Sequence, residues 1–158
     1  MFADGDFGWF EGLRRLHYPP ERNRVQAHLT LFSHLPPSIE GELDTRLAGY
    51  AALPPPRARI AGVMDLGGGT AFRIESAMLE DIRRDLAGAF HGLLVPQDRV
   101  PWTPHVTIQN KVEAREARTL QAKLAATFQP RALTIKGLGL WRYLDGPWQP
   151  LKRHMFRG

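Results

Sequence analysis

Two stretches decide how this chain reads: Arg24-Val-Gln-Ala-His-Leu-Thr-Leu-Phe32 and Pro104-His-Val-Thr-Ile-Gln109. Each alternates polar and aliphatic residues with period two, the pattern of a half-buried β-strand. In a strand, residues i and i+2 share a face, so His28 and Thr30 emerge together while Leu29 and Leu31 bury. His105 and Thr107 do the same over Val106 and Ile108. With six His and eight Thr in 158 positions, chance gives about 0.3 His-x-Thr matches. Two matches, both with an aliphatic residue at x and at the following position, call for an explanation.

The flanking sequence supplies one. After the first motif, Pro36-Pro37-Ser38 gives a turn and an N-cap for a helix with Ile39, Leu43, Leu47 and Tyr50 on one face, ended by Pro54-Pro55-Pro56. A hairpin follows, Arg57 to Leu66 and Thr70 to Glu75, around Gly67-Gly68-Gly69. After the second motif come a helix from about Glu113 to Phe128 and a hairpin from Arg131 to Tyr143 and Trp148 to Phe156. Motif strand, helix and hairpin thus occur twice, roughly over 24–75 and 101–156, with the hairpins opening Arg57-Ala-Arg-Ile and Arg131-Ala-Leu-Thr. A duplicated unit keeps element order when side chains diverge. Between the repeats, Ser76 caps a helix carrying Met78, Ile82, Leu86 and Phe90, with Gly92 placed to end it. A further helix, with Phe7, Phe10, Leu13 and Leu16 at helical spacing, opens the chain and stops at Pro19-Pro20. The expected fold is α+β: one bilobal domain over 1–158, with two lobes of antiparallel sheet and helices related by a pseudo-twofold about a central cleft.

Composition narrows the chemistry. Hydrophobic residues at 43% and charged residues at 23% are ordinary for a globular domain. No cysteine is present, which excludes disulfides, thiolate zinc sites and thiol catalysis. The sequence shows neither an 18-residue apolar span nor a signal-peptide pattern at Met1-Phe-Ala-Asp-Gly-Asp, so a cytoplasmic protein without membrane contact is expected. The net charge of +5 suits an anionic partner. Seventeen of the 21 basic residues are arginine, whose planar fork matches phosphate, although arginine-rich coding produces the same count.

If the lobes face each other across a pseudo-twofold, two imidazoles and two hydroxyls surround one groove. Phosphodiester cleavage needs a base for the attacking oxygen and an acid for the leaving oxygen, and histidine serves both near neutral pH. His28 and His105 are therefore the candidate catalytic pair, with Thr30 and Thr107 donating to non-bridging phosphate oxygens. Period two continues the groove to Phe32, which could stack a base, and to Gln109 and Lys111, which could bind sugar or phosphate. His34 extends the same face, whereas His17, His91 and His154 read as surface or structural. Trp141, Arg142 and Tyr143 mix aromatic and basic residues as an RNA contact would, but an alternating core strand gives the same letters and is the favoured reading. No metal is expected, because zinc needs three or four ligands and neither Cys nor an HExxH-like spacing is present. Gly67-Gly68-Gly69 lacks the Lys-Ser/Thr of a phosphate loop and reads as a tight turn.

The paired His28-Leu-Thr-Leu31 and His105-Val-Thr-Ile108 strands, with Pro20-Glu-Arg-Asn-Arg-Val-Gln-Ala before the first and Pro104 before the second, resemble the 2H phosphoesterase superfamily. The likeness is to its bacterial 2'-5' RNA ligase and RNA 2',3'-cyclic phosphodiesterase group, and it runs from about Pro19 to Phe156. It implies catalysis by His28 and His105, phosphate binding by Thr30 and Thr107, and no cofactor. RNA ends or small nucleotide cyclic phosphates are the expected partners, and no obligate protein partner is evident from the sequence. In such enzymes one histidine acts as acid while the other activates water, and the reverse reaction joins ends through a 2'-5' linkage. The chain departs from the pattern twice. Relatives usually open with a β-strand, yet Met1 to Trp9 is short and rich in Gly and Asp; and Gln109-Asn110-Lys111 stands where many relatives place an arginine.

Overall fold

The structure, a computed structural model, describes residues 1–157. Its elements in chain order are α1 (Asp4–His17), α2 (Glu40–Ala51), β1 (Arg57–Asp65), β2 (Gly69–Glu75), α3 (Ala77–Ala89), α4 (Pro96–Arg99), β3 (His105–Asn110), α5 (Ala114–Thr127), β4 (Arg131–Thr134), β5 (Gly137–Tyr143) and β6 (Trp148–Met155). The architecture is α+β. A four-stranded antiparallel sheet runs β3-β2-β1-β4, and β5 and β6 form a second, two-stranded sheet. Side chains from both sheets and from α1, α2, α3 and α5 join one apolar core in which Phe10 and Phe72 are wholly buried. Burying such a ring contributes about 1.5–3 kcal/mol.

Arg57 pairs with Thr134 and Ile60 with Arg131, so the two segments that open the expected hairpins are antiparallel neighbours in one sheet.

Elsewhere the halves differ from the expected repeat. The stretch from Arg131 to Tyr143 is two strands, not one: β4 ends at Thr134, and after Lys136 the chain enters the other sheet as β5. Trp141, Arg142 and Tyr143 are exposed instead of buried, because β5 and β6 lack a third strand and no element covers their outer face. Gly139 leaves the space over which the Trp141 indole lies. The opening residues form α1 from Asp4, and Phe2 makes a single bridge to Ile135. Ser76 caps α3 as expected, its hydroxyl accepting from the Leu79 N–H at 3.4 Å. By contrast α2 starts at Glu40, after a 3₁₀ turn over Pro37–Ile39, so Ser38 does not cap it.

The main correction concerns the first motif, since residues 24–36 form no strand. The alternation survives without a ladder: Ala27 is buried and Leu29 and Leu31 half-buried, while Gln26, His28 and Thr30 are exposed. Period two reports which side chains face the core and says nothing of whether a neighbouring strand is present.

Candidate active site

The second motif is positioned by the sheet. On β3, His105 lies opposite Arg73 and Thr107 opposite Ala71, so the two motif side chains share a face, while Val106 pairs with Phe72 and points into the core. The first motif is positioned by side chains from elsewhere. Its backbone groups still require partners, and five find them in side chains outside the segment. Arg14 donates to Val25 O at 2.7 Å, Glu11 accepts from Ala27 N at 2.5 Å, and the Trp102 indole donates to Thr30 O at 3.0 Å. The buried Asp98 carboxylate accepts from Ser33 N at 3.0 Å and from His34 N at 3.2 Å. Asp98 and Trp102 belong to the chain leading into β3, so the approach to the second motif braces the first.

The two imidazoles are held in the same way. His28 Nδ1 lies 2.7 Å from Gln26 O and His105 Nδ1 2.8 Å from Thr103 O, in each case the carbonyl two residues upstream. A carbonyl only accepts, so Nδ1 must carry the proton; in the neutral ring Nε2 is then left with a free lone pair. His28 is exposed at its edge yet surrounded by protein, and burial pulls its pKa below the usual 6.5. The bond to Gln26 opposes that shift, while the positive charges of Arg14, the Met1 ammonium and His105 add to it. Part of the His28 shift thus originates at His105, which makes the two rings electrostatic neighbours. Thr30 is exposed and Thr107 half-buried.

The remaining expected contacts fare differently. The Phe32 ring packs on the core, and the Arg83 guanidinium sits 3.8 Å from its centroid, covering one face. Gln109 does not line the groove. Ala71 pairs with Thr107 but Thr70 with Gln109, so Ile108 is an extra residue, a bulge that reverses the alternation. Gln109 is only 2% exposed; its Oε1 accepts from the Thr70 hydroxyl at 3.0 Å, and its amide faces Glu116 of α5 at 3.4 Å. Gly69 belongs to the same feature, because a Cβ there would collide with Gln109 O. Lys111 lies past the end of β3 with φ of 58°, so the strand face does not reach it. His34 is exposed and tied through its backbone to Asp98. His154 is structural, its Nε2 lying 2.8 Å from Asp44 Oδ1 of α2.

Two residues passed over in the sequence belong to this region. Arg73 stands opposite His105 on the same face, with its guanidinium 2.5 Å from Glu75; the alternation of Arg73 and Glu75 in β2 was the available signal. Arg14 is 3% exposed and bonds both Val25 O and, at 2.6 Å, Thr107 O. Sequence offered no sign of it, since it reads as one more charged residue on an amphipathic helix. Among the described residues no group of three or more His, Asp or Glu is placed to hold a metal ion, and no helix is long and apolar enough to cross a membrane.

Residues 3–147 match the family model of the 2'-5' RNA ligase superfamily. The chain belongs to that superfamily. The match takes in both His-x-Thr motifs and every element from α1 to β5. A curated superfamily relative, the RNA 2',3'-cyclic phosphodiesterase of Geobacillus stearothermophilus, is 34% identical over 115 residues, which is 67% of this chain and 33% of the relative. The alignment thus spans about a third of that relative's length.

Proposed function

We propose that this superfamily member is a metal-independent cyclic phosphodiesterase that opens RNA 2',3'-cyclic phosphate ends to the 2'-phosphate. The observation that carries the reading is the matched pair of imidazoles, each with Nδ1 committed to a carbonyl and Nε2 left free. The name of the Geobacillus relative, an RNA 2',3'-cyclic phosphodiesterase, supports the same reaction class. One histidine takes a proton from water as the water oxygen bonds to phosphorus. The P–O3' bond breaks, and the other histidine delivers a proton to the 3' oxygen. The hydroxyls of Thr30 and Thr107 donate to the non-bridging oxygens, where charge accumulates. Replacing water by a 5'-hydroxyl gives a 2'-5' linkage through the same site. In the free protein His28 is biased to the neutral form, the one that accepts a proton.

The deciding experiment incubates the protein in EDTA with a cyclic-phosphate-terminated oligonucleotide and, separately, with a 2',3'-cyclic mononucleotide. Release of a 2'-phosphomonoester is expected, with turnover abolished in both His28→Ala and His105→Ala. Full activity in either variant, or binding of both compounds without turnover, overturns the proposal.

A further inference from the structure

Arg14 has a place in the fold that packing does not account for. It lies in α1, is almost wholly buried, and its two terminal nitrogens reach three acceptors. Nη1 donates to Thr107 O at 2.6 Å, and Nη2 donates to Asn23 Oδ1 and Val25 O, both at 2.7 Å. The guanidinium also stacks 4.5 Å from the Tyr18 ring centroid, while its Nε has no hydrogen-bond partner. Burial pulls the Arg14 pKa below its ordinary value. A buried cation is costly, and an apolar side chain of similar volume usually serves stability as well or better.

The geometry points to a role for that cost: we propose that Arg14 is a positioning residue that sets the spacing and orientation of the two histidine-bearing segments. β3 is an edge strand, so its unpaired backbone groups need partners. Residues 24–36 form no strand of their own. The guanidinium fork connects the two, taking Thr107 O two residues beyond His105 and Val25 O three residues before His28. Glu11, one turn earlier on α1, accepts from Ala27 N at 2.5 Å. Glu11 and Arg14 thus present to Val25–Ala27 an acceptor and a donor side by side, as the backbone of a neighbouring strand would. Lysine carries its donors on one nitrogen at the end of a shorter stem, so it does not reproduce the two-nitrogen fork that takes the two carbonyls here. The Arg14 charge also disfavours protonation of His28, so it acts on the state of that ring as well as its place.

The inference rests on the proposed reaction for its kinetic test but not for its structural one. Arg14→Lys and Arg14→Met are compared with wild type on the cyclic mononucleotide, alongside NMR titration of the His28 ring. A misplacement of about 1 Å costs about 10²-fold in rate, so kcat should fall by that order in Arg14→Met with KM within about threefold. Arg14→Lys retains charge without the fork; it should keep the depressed His28 midpoint yet lose most of the rate, whereas the His28 midpoint rises in Arg14→Met. Rates are normalised to the folded fraction, and if Arg14→Met does not fold, Arg14→Lys alone decides. Wild-type kcat per folded molecule in Arg14→Lys overturns the proposal, as does an unshifted His28 midpoint in folded Arg14→Met. If wild type does not turn over the mononucleotide, the reaction is wrong, and the positioning role is then read from Arg14→Lys, which keeps the charge: shifted amide resonances at Val25–His28 and Thr107 support it, and wild-type resonances there overturn it.

Discussion

Asp98→Ala tests whether the first motif hangs on side chains. The buried carboxylate accepts from Ser33 N through both oxygens, at 3.0 and 3.1 Å, and from His34 N at 3.2 Å. Hydrogen bonds to a charged acceptor contribute about 1.5–3 kcal/mol each. His34 is exposed, so water replaces the carboxylate at its N–H, and the larger part of the loss falls on half-buried Ser33. The expected total is about 2 kcal/mol, which for a chain of this size lowers Tm by about 4–8 °C. Asp98→Asn keeps one acceptor oxygen but turns an amide donor towards a backbone donor, and should lose about half as much. Urea unfolding gives the free energy, and amide exchange should show faster opening at Ser33 and His34 than at Val106. Turnover per folded molecule should drop about tenfold or more, because Thr30 and His28 lie just upstream of the released cap. If Asp98→Ala unfolds within about 0.5 kcal/mol of wild type and Ser33 exchanges at the wild-type rate, the segment is held by something other than these contacts and the reasoning fails.

Gln109→Ala should destabilise by about 1–3 kcal/mol, since it leaves the buried Thr70 hydroxyl with only Ala117 O at 3.4 Å; a raised KM at unchanged stability would instead restore Gln109 as a substrate contact. Arg73→Ala should raise KM for a cyclic phosphate severalfold, because Arg73 stands opposite His105 on the same face of the sheet; an unchanged KM removes it from the proposed site. The His28 ring should titrate below the usual 6.5, with burial as the main cause, and its midpoint should rise in His105→Ala as one opposing charge is lost. Because the folded pKa is depressed, the unfolded chain takes up this proton first. The fold therefore loses stability as pH falls from about 6.5 towards the folded midpoint, and acidification that stabilised it over that window would contradict the assignment.

The sequence was legible where local pattern and structure coincide. The His105 strand, the α5 helix, the glycine turn after β1 and the Ser76 cap all follow from short-range spacing. The inward and outward sides of residues 26–31 were also readable, but their lack of a ladder was not, because pairing depends on a partner that alternation does not report; without a ladder the alternation stops at Phe32, whose ring packs on the core. A bulge is equally silent: Val-Thr-Ile-Gln reads as a regular strand, and only the register with β2 shows Ile108 as the extra residue that turns Gln109 inward. Arg14 lay beyond reach for a different reason. Two of its three acceptors are the backbone carbonyls of Val25 and Thr107, and a carbonyl leaves no trace in residue identity.

The two halves of the site are consequently held by different forces. His105 sits in β3, whose ladder to β2 is continuous with the core through Val106 and Phe72. His28 sits on backbone fixed by Glu11, Arg14, Asp98 and Trp102, each contributing one or two bonds. Ladder bonds flanked by buried residues open only with much of the fold, whereas isolated side-chain bonds break one at a time. Substitutions beneath β3 should therefore remove the folded protein, and substitutions at the four bracing side chains should release His28 from a protein that remains folded. In the proposed reaction such a site has one fixed wall and one that can yield, and the residues that limit the yielding wall are those that neither touch the phosphate nor belong to the motifs.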